Sequence, residues 1–184
     1  MNRMQIAIQG KAHSFHHIAA EKWAKQPVEI LPKSSFRDVF EALKHHETNL
    51  GVVAVSNSNY GPIQETAALL KEYGFPVVST VSLPISQHLI GITGSSLATI
   101  TQVYSHPIAL AQCSHYLDTH LSNAERISYE DTSAAAAFVK TQNNPAIAAI
   151  AGSAATNYYG LEYVAKNIEN DPDNTTSFVV IRAD

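Results

Sequence analysis

The sequence predicts an α/β protein folded as two lobes, and three observations carry that prediction. Apolar runs of strand length alternate with segments of helical period along all 184 residues, as when strands and helices are interleaved. Several of these runs are near-continuous instead of alternating, which fits a sheet covered by helices on both faces. The candidate strands, ten in number, are too many for one small compact sheet.

In chain order, a strand at residues 4–8 leads through a loop into a helix over 14–24. A strand at 28–31 is followed by a helix over 35–46, for which Ser34 or Ser35 offers a capping hydroxyl. The strand at 50–55 runs into the polar stretch Ser56-Asn57-Ser58-Asn59-Tyr60-Gly61-Pro62. A helix over 63–72 is closed by Gly74, the residue type that tolerates the left-handed end of a helix. Strands at 77–81, 89–93 and 100–104 precede Ser105-His106-Pro107, where the proline suits the first turn of a helix over 107–120. A strand at 125–129 and a helix over 132–141, capped by Asp131 or Thr132, come next. A strand at 147–150, a helix over 153–158 and strands at 161–165 and 178–181 complete the chain. Ser82-Leu83-Pro84 reads as the outgoing crossing between lobes, and the turn-rich run 170–174 as the return. One lobe is then 1–82 plus 171–184 and the other 83–170, with a ligand cleft expected between them.

Composition excludes several classes of function. The net charge of −4, with no basic stripe, argues against nucleic acid as a partner. No run approaches the roughly 20 apolar residues of a membrane span, and residues 1–10 hold no secretory apolar core. The single Cys113 rules out an internal disulfide or a cysteine-built metal site, so a cytoplasmic location is expected. Nine histidines are present, but none has His-Glu-x-x-His spacing; no metal is expected.

Four segments carry polar groups suited to chemistry. The Ser-His-Pro turn leaves backbone N–H groups at a helix start, with Ser105 and Gln112 near it. Asn57 stands at the end of an apolar strand, where ligands of α/β folds are met. Asn174-Thr175-Thr176-Ser177-Phe178 brings hydroxyls into the last strand. Gln9-Gly10-Lys11-Ala12-His13-Ser14-Phe15-His16-His17 is a strand–loop–helix start without phosphate-loop spacing. Taken singly, each reads as an ordinary turn or strand start.

In this order the segments resemble the catalytic domain of prephenate dehydratase, nearly end to end. The resemblance is carried by Ile8-Gln9-Gly10 with Ser14-Phe15, by Gly51 to Val55 with Asn57-Ser58, and by Leu83-Pro84-Ile85 with His88-Leu89. It continues through Ser105-His106-Pro107 with Ala109 to Cys113, Asp131-Thr132, Ala148 to Ala151, Tyr159-Gly160-Leu161, and Asn174, Thr176 and Phe178. It implies two lobes similar to type II periplasmic binding proteins, with the site between them. It implies conversion of prephenate to phenylpyruvate without a cofactor, on the route to phenylalanine. Thr176, Asn57, Gln112 and Ser105 then match catalytic positions. Ser14, Phe15, Ser58, His106, Ser177 and Phe178 match substrate-binding ones. A homodimer is implied, and the C-terminal regulatory domain of the ACT type that such proteins carry has no counterpart before Asp184.

The chain departs from the family pattern at charged positions. The Arg of Thr-Arg-Phe is Ser177, the Glu before Asn57 is Ser56, and a strand Glu is Thr80. The loop glycine before Ser14 is His13, so Lys11 and His13 are the candidate replacement cations for an anionic ligand. Two other readings stay open at this point: a relative that decarboxylates prephenate without aromatising it, and a non-catalytic small-anion binding module.

Overall fold

The computed structural model describes residues 4–183. The chain divides into two compact units, Met1–Pro84 with Asn174–Asp184, and Ile85–Asp173. Residues 1–3 and 184 of the expected first lobe, and part of the 1–10 stretch read for a secretory core, lie outside the described residues.

Unit 1 is built on the sheet order β2-β1-β3-β11-β5, with β4 attached to β3. Its strands are β1 (Gln5–Gln9), β2 (Glu29–Lys33), β3 (Leu50–Asn57), β4 (Gly61–Pro62), β5 (Val77–Pro84) and β11 (Thr175–Arg182). β1 runs parallel to β2 and β3, whereas β11 is antiparallel to both β3 and β5. The helices are α1 (Phe15–Ala24), α2 (Phe36–Lys44) and α3 (Gln64–Tyr73). Ser35 caps α2 in a full capping box with Asp38, two reciprocal bonds that satisfy orphan N–H groups of the first turn. α3 ends on Gly74 at φ +67°, as its sequence position predicts. The core gathers Val39, Phe40 and Leu43 of α2 against Val53 of β3, Ile181 of β11 and Leu69 of α3.

Unit 2 has the sheet order β10-β6-β9-β7-β8. These strands are β6 (His88–Gly91), β7 (Gln102–Ser105), β8 (Glu125–Ser128), β9 (Ile147–Ala151) and β10 (Glu162–Ala165). β9, Ile-Ala-Ala-Ile-Ala, is buried at every position. Ala148 and Ile150 join one apolar cluster while Ile147, Ala149 and Ala151 join another, so alternate side chains serve the two faces of the sheet. That is why the run reads as continuous in the sequence. α6 (Thr132–Gln142), capped by Asp131, and α7 (Ser153–Tyr159) supply the cover on the second face.

Three expectations shift. The first crossing falls after Pro84, not 82, because Leu83 and Pro84 still pair with Thr176 and Thr175 in the sheet of unit 1. The last strand starts at Thr175, not 178, so the polar residues 175–177 are strand residues. The single helix expected over 107–120 is two, α4 (Pro107–Gln112) and α5 (Ser114–His120), broken at Cys113 with φ −111° and ψ 12°. Asn170 causes the break: its backbone N–H donates to the Gln112 carbonyl at 2.6 Å and its side-chain amide donates to the Ala111 carbonyl at 3.2 Å. Its Oδ1 accepts from the His115 N–H at 3.0 Å, so it supplies what the interrupted helix would otherwise have paired.

Candidate active site

The carboxyl end of β3 and the start of β11 bring together a linked set of uncharged polar groups in unit 1. In their antiparallel register Thr176 is paired with Asn57 and Ser177 with Ser56. A bulge follows at once, since Phe178 pairs with Ala54 and Val55 is skipped.

Asn57 is fixed at every polar atom. Its Oδ1 accepts from the Asn59 backbone N–H at 3.0 Å, which decides which end of the amide is oxygen. Its Nδ2 therefore donates twice, to Asn174 Oδ1 at 2.7 Å and to Thr176 Oγ1 at 2.9 Å. Thr176 accepts in that bond, so its own hydroxyl proton is left to donate elsewhere. Both Asn57 and Thr176 are half-buried. The site thus presents an oriented neutral donor, with no carboxylate in the pair to oppose a negative ligand.

Other predicted residues take structural tasks. Ser58 accepts from the Thr175 N–H at 2.9 Å while its own N–H donates to the Thr175 carbonyl, fastening the strand ends together. Ser177 sits beside Ser82 of β5, with the two Oγ atoms 3.3 Å apart. Phe178 is 1% exposed and presents no surface to a ligand; the ring of His16 meets it edge-on at 5.0 Å. Ser14 is buried and caps α1 by accepting from the His17 N–H at 3.4 Å. Phe15 begins α1. Phe178 and Ser14 thus serve the scaffold of unit 1.

The β1–α1 loop holds a left-handed residue. His13 has φ +66°, a region histidine enters more readily than most side chains. Its backbone N–H donates to His17 Nδ1 at 2.9 Å. Burial, reinforced by the neighbouring His17, pushes the His13 pKa down. Both effects disfavour the cationic ring at His13; Lys11 is exposed in the same loop.

In unit 2 the Ser-His-Pro turn is less open than expected. Ser105 has no exposed surface, and its hydroxyl donates to the Ile150 carbonyl at 2.7 Å, tying β7 to β9. It is a fastening group, not one that faces a ligand. His106 is the N-cap of α4: its Nδ1 accepts from the Ile108 N–H at 3.2 Å, and Pro107 has no N–H to offer. Two of the N–H groups that made the turn a candidate anion site are thus removed. Gln112 is 8% exposed, and its side-chain amide has no partner among the described residues. Cys113 is fully buried with its thiol pKa pushed up to about 12 by burial, which excludes it as a nucleophile. Among the described residues no group of three or more His, Cys, Asp or Glu side chains is placed to hold a metal ion. No helix among them is long and apolar enough to cross a membrane.

Sequence reading missed Asn174 as a site residue. It is 1% exposed and its Oδ1 receives both Asn57 and Ser58. Its place two residues before the hydroxyl of interest was the available signal.

Unit 1 thus carries an amide-oriented hydroxyl where the ends of β3 and β11 meet, on a two-unit α/β chain. The family model described as prephenate dehydratase matches residues 6–184, and the chain belongs to that family. It is 38% identical over 176 residues to the prephenate dehydratase of Lactococcus lactis, covering 95% of this chain and 62% of that protein. It is 35% identical over 178 residues to the bifunctional chorismate mutase/prephenate dehydratase of Stutzerimonas stutzeri, covering 97% of this chain and 48% of that protein. The chain thus spans about half to three fifths of the length of these relatives. The crystal structure of the Arthrobacter aurescens prephenate dehydratase with L-Phe shares the fold, with TM-score 0.86 at 22% identity over 98% of this chain and 61% of that one.

Proposed function

We propose that this chain dehydrates and decarboxylates prephenate to phenylpyruvate, and that Thr176 donates to the departing hydroxyl. The observation that carries the reading is the bond from Asn57 Nδ2 to Thr176 Oγ1, which leaves the Thr176 proton for a second partner. In the reaction the bond to the ring carboxylate breaks and releases carbon dioxide. Its electron pair moves through the ring diene and expels the hydroxyl at the opposite carbon, leaving an aromatic ring. One proton, taken finally from solvent, converts the departing hydroxide to water. A hydroxyl that donates to that oxygen favours the transition state over the ground state, because the charge develops only as the bond breaks.

The rest of the assignment follows the chemistry of each group. Gln112, whose amide is uncommitted, is assigned to holding a substrate oxygen. Lys11 is assigned to substrate anionic charge, since the positions matched to family Arg and Glu residues are Ser177 and Ser56. Thr176 argues against decarboxylation without aromatisation, because a donor to the leaving hydroxyl would defeat that outcome. A cytoplasmic biosynthetic setting belongs to the same proposal.

The test is incubation with prephenate and identification of products. Phenylpyruvate, lost on Thr176→Val, is the expected result. A dihydro-hydroxyphenylpyruvate product, or binding without turnover, would replace this reading with one of the other two.

A further inference from the structure

Asn174 is nearly inaccessible, at 1% exposed, and only half of its amide is used. Its Oδ1 accepts from Asn57 Nδ2 at 2.7 Å and lies 3.5 Å from Ser58 Oγ. Its Nδ2 is buried and has no partner among the described residues. A buried N–H group left unpaired destabilises a fold, and an apolar side chain of similar shape would avoid that penalty. The Nδ2 end therefore adds nothing to stability, and what the amide supplies is the Oδ1 acceptor that orients its neighbour.

We propose that Asn174 is a positioning residue for the hydroxyl-departure step, acting through Asn57 to fix the direction in which Thr176 donates. This deepens the dehydratase reading and rests on it. The sense of the relay starts at the Asn59 N–H, which holds Asn57 Oδ1 as an acceptor and turns Asn57 Nδ2 toward both Asn174 and Thr176. Reversing the Asn174 amide would set donor against donor, so only one arrangement satisfies all three residues. Without the Asn174 oxygen, one Asn57 N–H loses its acceptor and the Asn57 amide is no longer held. Thr176 Oγ1 then ceases to be a fixed acceptor, and its proton can turn back to Asn57 Oδ1. The loss falls on the chemical step and spares ground-state binding, because Asn174 itself is too buried to touch substrate.

Two variants of the full chain test this, Asn174→Ala and Asn174→Asp. In Asn174→Ala, kcat for prephenate should fall roughly 10- to 100-fold, the scale of a misplaced catalytic group, with KM within about threefold. The two Asn57 side-chain N–H resonances, followed by nitrogen-15 NMR, should move together with that loss. Asn174→Asp keeps the Oδ1 acceptor and puts a second carboxylate oxygen in place of the orphaned N–H, which sets a negative charge behind the site of hydroxide departure. Its kcat should be low at pH 7 and recover as the pH falls through the pKa of the new carboxyl, which burial raises above the ordinary value of about 4, after subtraction of the uncatalysed rate. A packing role alone would produce no such recovery. Asn174→Ala with kcat within threefold of wild type, unmoved Asn57 resonances, or a flat Asn174→Asp profile would each overturn the inference while leaving the dehydratase reading intact. A wild-type chain inert toward prephenate would overturn both. Should Asn174→Ala fail to fold, the Asn174→Asp profile decides.

Discussion

Ser56 of β3 and Ser177 of β11 are direct cross-strand partners, and the sequence resemblance reads both as departures, from a motif Glu and a motif Arg. The two departures therefore meet at one place in the sheet. A lone charge there would face a serine, whereas an exchange of both leaves a neutral pair. Ser177 is also in register with Ser82 of β5, so three hydroxyls cross three strands at this level.

Restoring both charges should thus be more favourable than the sum of the single changes. Oppositely charged residues directly across an antiparallel pair contribute roughly 0.2–1 kcal/mol. In a double-mutant cycle of Ser56→Glu and Ser177→Arg, denaturant unfolding should show a favourable coupling of about 0.5 kcal/mol. Ser177→Arg alone should tighten binding of an anionic substrate, and Ser56→Glu alone should weaken it. Zero coupling would mean that the facing register does not bring these side chains together.

The Thr176 hydroxyl makes a sharper demand. Thr176→Val keeps the branched shape and removes the donor, so kcat should drop by roughly 10²- to 10⁴-fold, the range for a positioned proton donor. Thr176→Ser keeps the hydroxyl in reach of Asn57 Nδ2 and should retain activity to within about tenfold. Equal loss in both variants would assign Thr176 a packing role.

Much of this fold was legible because its cause is local. The alternation of apolar runs and helical segments, the Ser35 cap and the Gly74 stop all depend on near neighbours in sequence. What was not legible depends on distant partners. The break at Cys113 is made by Asn170, 57 residues later, and no helix signal near 113 announces it. The commitment of Ser105 to the Ile150 carbonyl is equally remote, so a serine that looks available in sequence is spent in the core. The residue types of the site could be read at Asn57 and Thr176, but the direction of their bond required Asn59 and Asn174 to be in place.

Ser105 gives a third expectation, opposite in character to the second. Its hydroxyl bonds the Ile150 carbonyl across two buried strands, and its deletion leaves that group with one partner fewer. Ser105→Ala should destabilise the protein by about 1–3 kcal/mol, read as a lower denaturation midpoint. The kcat of the folded fraction should stay within about threefold of wild type. An unmoved midpoint with a large fall in kcat would return Ser105 to the reacting groups.

The last expectation concerns pH and follows from His16. Its ring packs between Phe36 and Phe178, and its Nε2 accepts from the Ala54 N–H at 3.3 Å, next to the bulge in β3. To accept, Nε2 must be unprotonated; adding a proton would set N–H against N–H beside an aromatic edge. Burial accordingly pushes the His16 pKa down to about 4. The unfolded chain, with histidine near 6.5, binds more protons than the folded one between about pH 4 and 6.5, so stability rises with pH across that window. The contribution is complete above about 6.5, declines as the pH falls, and is gone below about 4, a difference of up to about 3 kcal/mol at roughly 1.4 kcal/mol per unit. Burial also lowers the pKa of His13, His88 and His106, which act in the same sense, but these are common to wild type and a His16→Gln variant. The difference between the two stability curves isolates His16: the wild-type curve should be the steeper between pH 4 and 6.5, and parallel curves would show that the ring is not held neutral by its packing.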